Sequence, residues 1–235
     1  MADYAAYRRL IGAFLSADYE VTAFSDDPPD RGKLLLRHDI DFDVRYASEM
    51  SFVEDDLGVT ATYFFLLRSA SYNLLDADNL SMITSMRDRG HRVSLHFDPT
   101  LYDDVETGFQ EERRIFENAC ETTIEHVSIH RPSDYFLGNP ERIAGVTHTY
   151  HPKLFEDIKY FADSQGRFRY GHPLESSEFA DGRTIQLLIH PIWWKHELPE
   201  PVDKLRTFLS ERIDRFEGHM AANCAPYRDY LDQRS

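Results

Sequence analysis

The apolar positions of the chain fall into short runs that alternate between a helical and a strand-like pattern. Residues 3–16 put Tyr4, Tyr7, Leu10, Ile11 and Phe14 on one face at helical spacing. SDDPPDRG at 25–32 reads as a loop, and KLLLRH at 33–38 as a buried strand. Helical spacing returns over 44–57 through Tyr46, Met50, Val53 and Leu57, and Gly58 stands where a C-terminal cap belongs. TATYFFLL at 60–67 is rich in aromatic and β-branched residues and predicts a strand. A helix over 77–89 ends at Gly90, and RVSLHF at 92–97 predicts the next strand. A helix over 103–121 follows, then strands at 126–130, 158–163 and 184–190. A closing helix over 201–217 carries Val202, Leu205, Leu209, Ile213 and Phe216 on its apolar side.

Strands alternating with helices predict βα units and a mainly parallel sheet, and the nearly all-apolar strands fit a sheet covered on both faces. Seven or so such units make an α/β fold of the distorted (β/α)7-barrel type. The expected organisation is a single domain over 1–235, with the helices at 3–16 and 201–217 as accessory elements. In such a barrel the chemistry sits at the C-terminal ends of the strands.

The polar residues gather at those ends. LLLR runs into His38, Asp39, Asp41 and Asp43; RVSL into His96 and Asp98; HVSI into His130 and Arg131; IKYFA into Asp163; IQLLI into His190. With side chains alternating along a strand, Asp39 and Asp41 point to one side, as do His96 and Asp98. Two carboxylates and an imidazole facing one cavity suit a divalent metal such as zinc. Such a site polarises a carbonyl and acidifies water, with a nearby carboxylate as general base and an imidazole as general acid. His38 reads as support for this site and His91, after Gly90, as a turn residue. The pair His148 and His151 lies in a stretch that reads as extended, where an i, i+3 helical metal pair does not form.

Composition narrows the partners. A formal net charge of -15 argues against nucleic acid and against anionic lipid surfaces. No stretch approaches the roughly 20 apolar residues of a membrane span, and the N-terminus lacks a secretory apolar region, so the expected compartment is the cytoplasm. Cys120 and Cys224 form no CxxC pair and predict no disulfide framework.

Over residues 33–195 the motifs resemble the polysaccharide deacetylase superfamily (NodB-like, carbohydrate esterase family 4). RHDID at 37–41 is similar to its first motif, which implies Asp39 as catalytic base and Asp41 as metal ligand. GHRVSLHFD at 90–98 is similar to the second, which implies His96 on the metal. HRPSDY at 130–135 stands where the family has Arg-x-Pro, and Arg131 has the planar fork that suits a carboxylate or phosphate on the substrate. DSQGRF at 163–168 resembles the segment whose Asp orients catalytic groups, implying that role for Asp163. LLIH at 187–190 resembles the Leu-x-x-His motif, implying His190 as general acid, and Trp193 and Trp194 after it are placed to wall a sugar-sized pocket. Two features depart from the pattern: Ile40 splits the Asp pair, and Thr100 stands where a second metal His is usual. The third ligand is then His130, at the end of the next strand, with Asp98 as the alternative.

The resemblance implies a hydrolase that uses a divalent metal, most simply Zn2+, to remove an acyl group from an amino sugar or related small amide. In the cytoplasm such an enzyme would act on a precursor of surface polysaccharide. Two rivals remain: hydrolysis of a non-sugar C–N bond of ureide or imide type, and a degenerate scaffold that binds a glycan or metabolite without turnover.

Overall fold

The structure is a computed structural model that describes residues 4–233. Asp3, the predicted start of the first helix, lies outside the described residues, as do the other ends of the expected domain, Met1, Ala2, Arg234 and Ser235. The chain divides into two compact units, one within Met1–Glu197 and one within Leu198–Ser235.

The first unit begins with α1 (Ala5–Ser16), β1 (Glu20–Thr22), β2 (Lys33–Ile40), α2 (Val44–Leu57), β3 (Thr62–Leu66), α3 (Ala77–Asp88) and β4 (Arg92–Phe97). It continues with α4 (Val105–Cys120), β5 (His126–Ile129), β6 (Thr147–His148), α5 (Pro152–Phe155), β7 (Lys159–Ala162), α6 (Ser177–Ala180) and β8 (Ile185–Ile189). Helix starts are written in the sequence. The side chains of Asp43, Asp76 and Asp104 accept backbone N–H groups of the first turns of α2, α3 and α4. Helix α2 stops at Gly58, which takes the left-handed conformation (φ 70°) and returns its N–H to Asp55 and Glu54.

The strands order as β6-β5-β4-β3-β2-β8-β7, with β1 beside the first half of β2, and every strand pairing is parallel. This is the distorted seven-stranded barrel that the alternation predicts. Strands β6 and β7, at the ends of the order, form no ladder with each other among the described residues. Rings occupy the seam instead: Tyr150, just past β6, lies 5.3 Å from Phe155 and 6.2 Å from Tyr160 of β7. Gln186 of β8 donates to the carbonyls of Thr149 (3.3 Å) and Leu154.

Alternation along β2 separates two environments. Leu34, Leu36 and Ile40 join Tyr63, Phe65, Leu95 and Ile189 in the main core, on the side of the sheet that the helices cover. Leu35, Arg37 and Asp39 face the other way. Leu35 packs with Phe24, Leu154 and Ile158 in a small second apolar cluster. Beyond it, toward the strand ends, the interior turns polar with Arg37, Asp39, His96 and Ser128, all buried.

The second unit holds α7 (Pro201–Asn223) and α8 (Ala225–Asp232). Here the sequence expectation needs correction. The helix predicted to end at 217 runs on to Asn223, because Gly218 is tolerated inside it, and Pro226 sits in the first turn of the next helix, where proline is compatible. The predicted apolar side is not the buried side: Val202, Leu209, Ile213 and Phe216 are 53–63% exposed, while Phe208 is the buried residue. Periodicity finds a helix but does not fix which of its residues are buried.

Candidate metal centre and active site

The register of the parallel sheet builds the site. Residue Ile40 lies beside Phe65, so Asp41 continues to the level of Leu66, and Leu66 lies beside His96, which lies beside Ser128. On the other side His38 lies beside Ile189, so Asp39 continues to the level of His190. Five strand ends therefore meet at one rim, as the sequence pattern requires.

Asp41, His96 and His130 form a triangle of possible metal ligands. His96 Nε2 is 3.1 Å from His130 Nδ1 and 3.4 Å from Asp41 Oδ1, and His130 Nδ1 is 3.6 Å from the same oxygen. A point equidistant from these three atoms lies about 2 Å from each, the length of a zinc–nitrogen or zinc–oxygen bond. Asp41 Oδ1 is buried and makes no hydrogen bond. His96 Nδ1 sits 3.3 Å from the carbonyl of Ser128, and donating there leaves Nε2 with its lone pair toward the triangle. The donor set therefore fits a small divalent cation.

The electrostatics agree with that chemistry. Burial opposes ionisation of Asp41, yet the His96, His190 and His130 imidazoles outweigh it and bring its carboxyl down to about 2. Burial, then His96, lowers His130, against the pull of Asp41 and Asp98. A charged carboxylate beside a neutral imidazole is the state in which both ligate metal.

Asp98 is engaged elsewhere. Its Oδ1 accepts from the Thr100 hydroxyl (2.6 Å) and the Thr100 N–H (3.0 Å), capping the short turn at Pro99–Leu101. The residue that departs from the second motif thus ties down the alternative third ligand, and the triangle of ligand atoms closes on His130.

Asp39 is held by one oxygen. Its Oδ2 accepts from Arg37 (3.0 Å) and from Ser128 (2.9 Å), while the buried Oδ1 has no partner among the described residues. Burial opposes its charge, but Arg37, with His96 and His190 beyond it, holds Asp39 below the usual carboxylate range. Arg37 is itself fully buried, bonded to Gln186 (3.0 Å) and set over the rings of Tyr150 and Tyr160. The sequence reading gave Arg37 no role. The available signal was a charge inside an apolar strand, two residues before Asp39 and so on the same face.

Asp163 and His190 form a dyad. Asp163 Oδ1 is 2.6 Å from His190 Nδ1, its two oxygens accept the His190 backbone N–H at 3.1 and 3.0 Å, and Oδ2 accepts the Trp194 indole N–H at 2.6 Å. Burial works against the imidazolium, yet Asp163, with Asp41 and Asp39, raises His190 to about 9. Its Nε2 points toward the triangle, 3.9 Å from Asp41 Oδ2. Trp194, expected to wall a sugar pocket, has its polar edge on Asp163 and its ring against Tyr7. Trp193 lies in the turn Pro191–Trp193. A cavity of about 10 Å³, room for one water, touches Asp39, Asp41 and His190 together.

Three other histidines, of which His38 was expected to support the site, sort as follows. His38 and His91 turn away from the rim to a buried carboxylate, Glu54, at 2.6 and 3.4 Å. His148 is buried with neither ring nitrogen bonded, and burial, then His151, lowers it to about 4. Arg131 stands exposed just past His130 with φ 50°.

No family model matches the sequence, and no curated protein matches it. Solved structures do. A polysaccharide deacetylase from Bacillus cereus is 14% identical with TM-score 0.46, covering 76% of this chain and 87% of that one. A chitin deacetylase from Colletotrichum lindemuthianum is 14% identical with TM-score 0.45, covering 79% and 84%. A mutant, with restored enzymatic activity, of a CE4-family pseudoenzyme from Bacillus anthracis is 15% identical with TM-score 0.40, covering 82% and 68%. The chain is thus similar in structure to polysaccharide deacetylases and their relatives, and the chemistry of the site rests on its own residues.

Proposed function

We propose that this chain is a metal-dependent hydrolase that removes an acyl group from an amino sugar or related small amide, such as a precursor of surface polysaccharide. The observation that carries this reading is the convergence on one water-sized cavity of three residues with complementary tasks: Asp39, whose buried Oδ1 has no partner, Asp41 of the ligand triangle, and the imidazolium of His190.

Asp41, His96 and His130 would hold the cation, with zinc favoured by the nitrogen–oxygen donor set and the short separations. When bound, such an ion polarises a carbonyl and acidifies water. Asp39 lines the cavity and its unpartnered Oδ1 accepts the proton of the attacking water, while Arg37 and Ser128 fix the carboxylate through Oδ2. His190 carries its proton at neutral pH and delivers it from Nε2 to the departing nitrogen, because Asp163 binds Nδ1 and fixes the ring.

The test is acyl release from N-acetylated amino sugars by zinc-loaded protein, beside the variants Asp39→Asn and His190→Gln. Each variant is expected to lose about 10²–10⁴-fold in kcat, the usual worth of a positioned acid or base. Loaded protein that binds an amino sugar and releases nothing overturns the hydrolase reading in favour of a binding scaffold. Cleavage of ureides or imides but not of sugars overturns the substrate class.

A further inference from the structure

A cleft of about 540 Å³, within the 300–1,000 Å³ range of small-molecule sites, is lined in part by residues that directly follow those at the rim, Pro99 after Asp98 and Arg131 after His130. Arg131, the residue after His130, and Arg142, from the long β5–β6 connection, both line it. Among the described residues neither guanidinium has an ion-pair or hydrogen-bond partner. The contrast lies at the other end of the sheet. There two clefts are lined by Arg87, Arg92 and Arg113, and each of these is paired with a carboxylate of Asp88, Glu125 or Glu117. Two carboxylates also line the first cleft. Glu141 is bonded to the Tyr135 hydroxyl at 2.6 Å, and Glu106 lies in the first turn of α4. Neither neutralises an arginine. The backbone at Arg131 is held at φ 50°, a conformation that costs a non-glycine residue.

We infer that this cleft binds an oxyanion, a phosphate or carboxylate carried by the same molecule whose acyl group meets the triangle. This rests on the reading of Asp41, His96 and His130 as the catalytic centre. The planar fork of arginine matches both anions, and two unpaired forks in one cleft give the substrate a charged handle. Tyr135, 59% exposed, and Phe136 supply an aromatic wall for the part of the ligand between the two groups.

The experiment is calorimetric binding to zinc-loaded full-length protein of three probes: N-acetylglucosamine, its 1-phosphate, and an N-acetylated sugar bearing a carboxylate. At least one anionic probe is expected to bind tenfold or more tighter than the neutral sugar, and which one identifies the anion. Arg131→Gln and Arg142→Gln should each cut that preference about tenfold, and added salt should shrink it. Thermal unfolding of both variants checks that they fold, and exposed Arg142 covers the case in which Arg131→Gln does not. Equal binding of neutral and anionic probes, or a preference that survives both substitutions, overturns the inference. The two readings fail separately. A preference for the anion without acyl release leaves the cleft and removes the hydrolase, while acyl release indifferent to charge does the reverse.

Discussion

Arg37 and Asp39, two residues apart on β2, meet inside the barrel at 3.0 Å with side chains 0% and 3% exposed. Both charges are buried, so each is the other's main compensation. Removing one partner of a buried pair typically costs about 3–5 kcal/mol because the remaining charge is stranded. Arg37→Met is therefore expected to lower stability by about that amount, and adding Asp39→Asn should recover part of it. Urea unfolding of the four proteins of this cycle measures the coupling. Strictly additive losses would mean that the pair is not energetically linked.

The third metal ligand is the next prediction. His130→Ala, like Asp41→Ala and His96→Ala, should abolish stoichiometric zinc binding, because two remaining ligands do not make a structural or catalytic site. Asp98→Asn should retain the metal, since Asp98 caps the turn at Pro99–Leu101 through Thr100. Elemental analysis and chelator competition on the four variants decide it. Zinc retained in His130→Ala but lost in Asp98→Asn would transfer the ligand role to Asp98.

The barrel and its rim were legible because both depend on local pattern. Apolar runs gave the strands, and polar residues at their ends gave Asp39, Asp41, His96, His130, Asp163 and His190. What stayed hidden depends on tertiary neighbours. Strands β1 and β6 are three and two residues long and exist because β2 and β5 pair with them. Arg37 read as one letter of a motif, and its importance comes from Gln186, Tyr150 and Tyr160, more than 100 residues away. Glu54 had no reading in the sequence, and its burial comes from Tyr7, His38, Tyr63 and His91 around it. Trp194 read as a sugar wall, and its hydrogen bond to Asp163, 31 residues away, was not legible.

In the metal-free protein His190 should titrate at about 9, and Asp163→Asn should return it toward the ordinary 6.5. The sign follows from the raised folded value. The dyad's contribution to stability is full below about pH 6.5 and is lost as pH rises through about 9. The shift corresponds to roughly 3 kcal/mol. Histidine NMR across this range reads the titration directly. An unchanged His190 in Asp163→Asn would show that Asp163 does not hold the proton there.

Glu54 makes the opposite prediction at acid pH. It is fully buried, accepts from the hydroxyls of Tyr7 and Tyr63, and lies 2.6 Å from His38 Nε2. Burial opposes its ionisation, but His38, His91 and Tyr63 outweigh it and hold the carboxyl below its usual range. A depressed carboxylate contributes stability above its unfolded value of about 4.3, and that contribution is lost as pH falls through the folded value. Glu54→Gln keeps the shape but removes the charge that faces the imidazoles, so it should cost about 3–5 kcal/mol at neutral pH. It should also flatten the fall in stability below about pH 4.3. The site at the rim uses none of these groups, so the variant should keep its zinc while losing stability. Denaturant unfolding from pH 3 to 7, with metal content measured alongside, tests both halves. An acid limb as steep in Glu54→Gln as in the wild type would place its origin in other carboxylates.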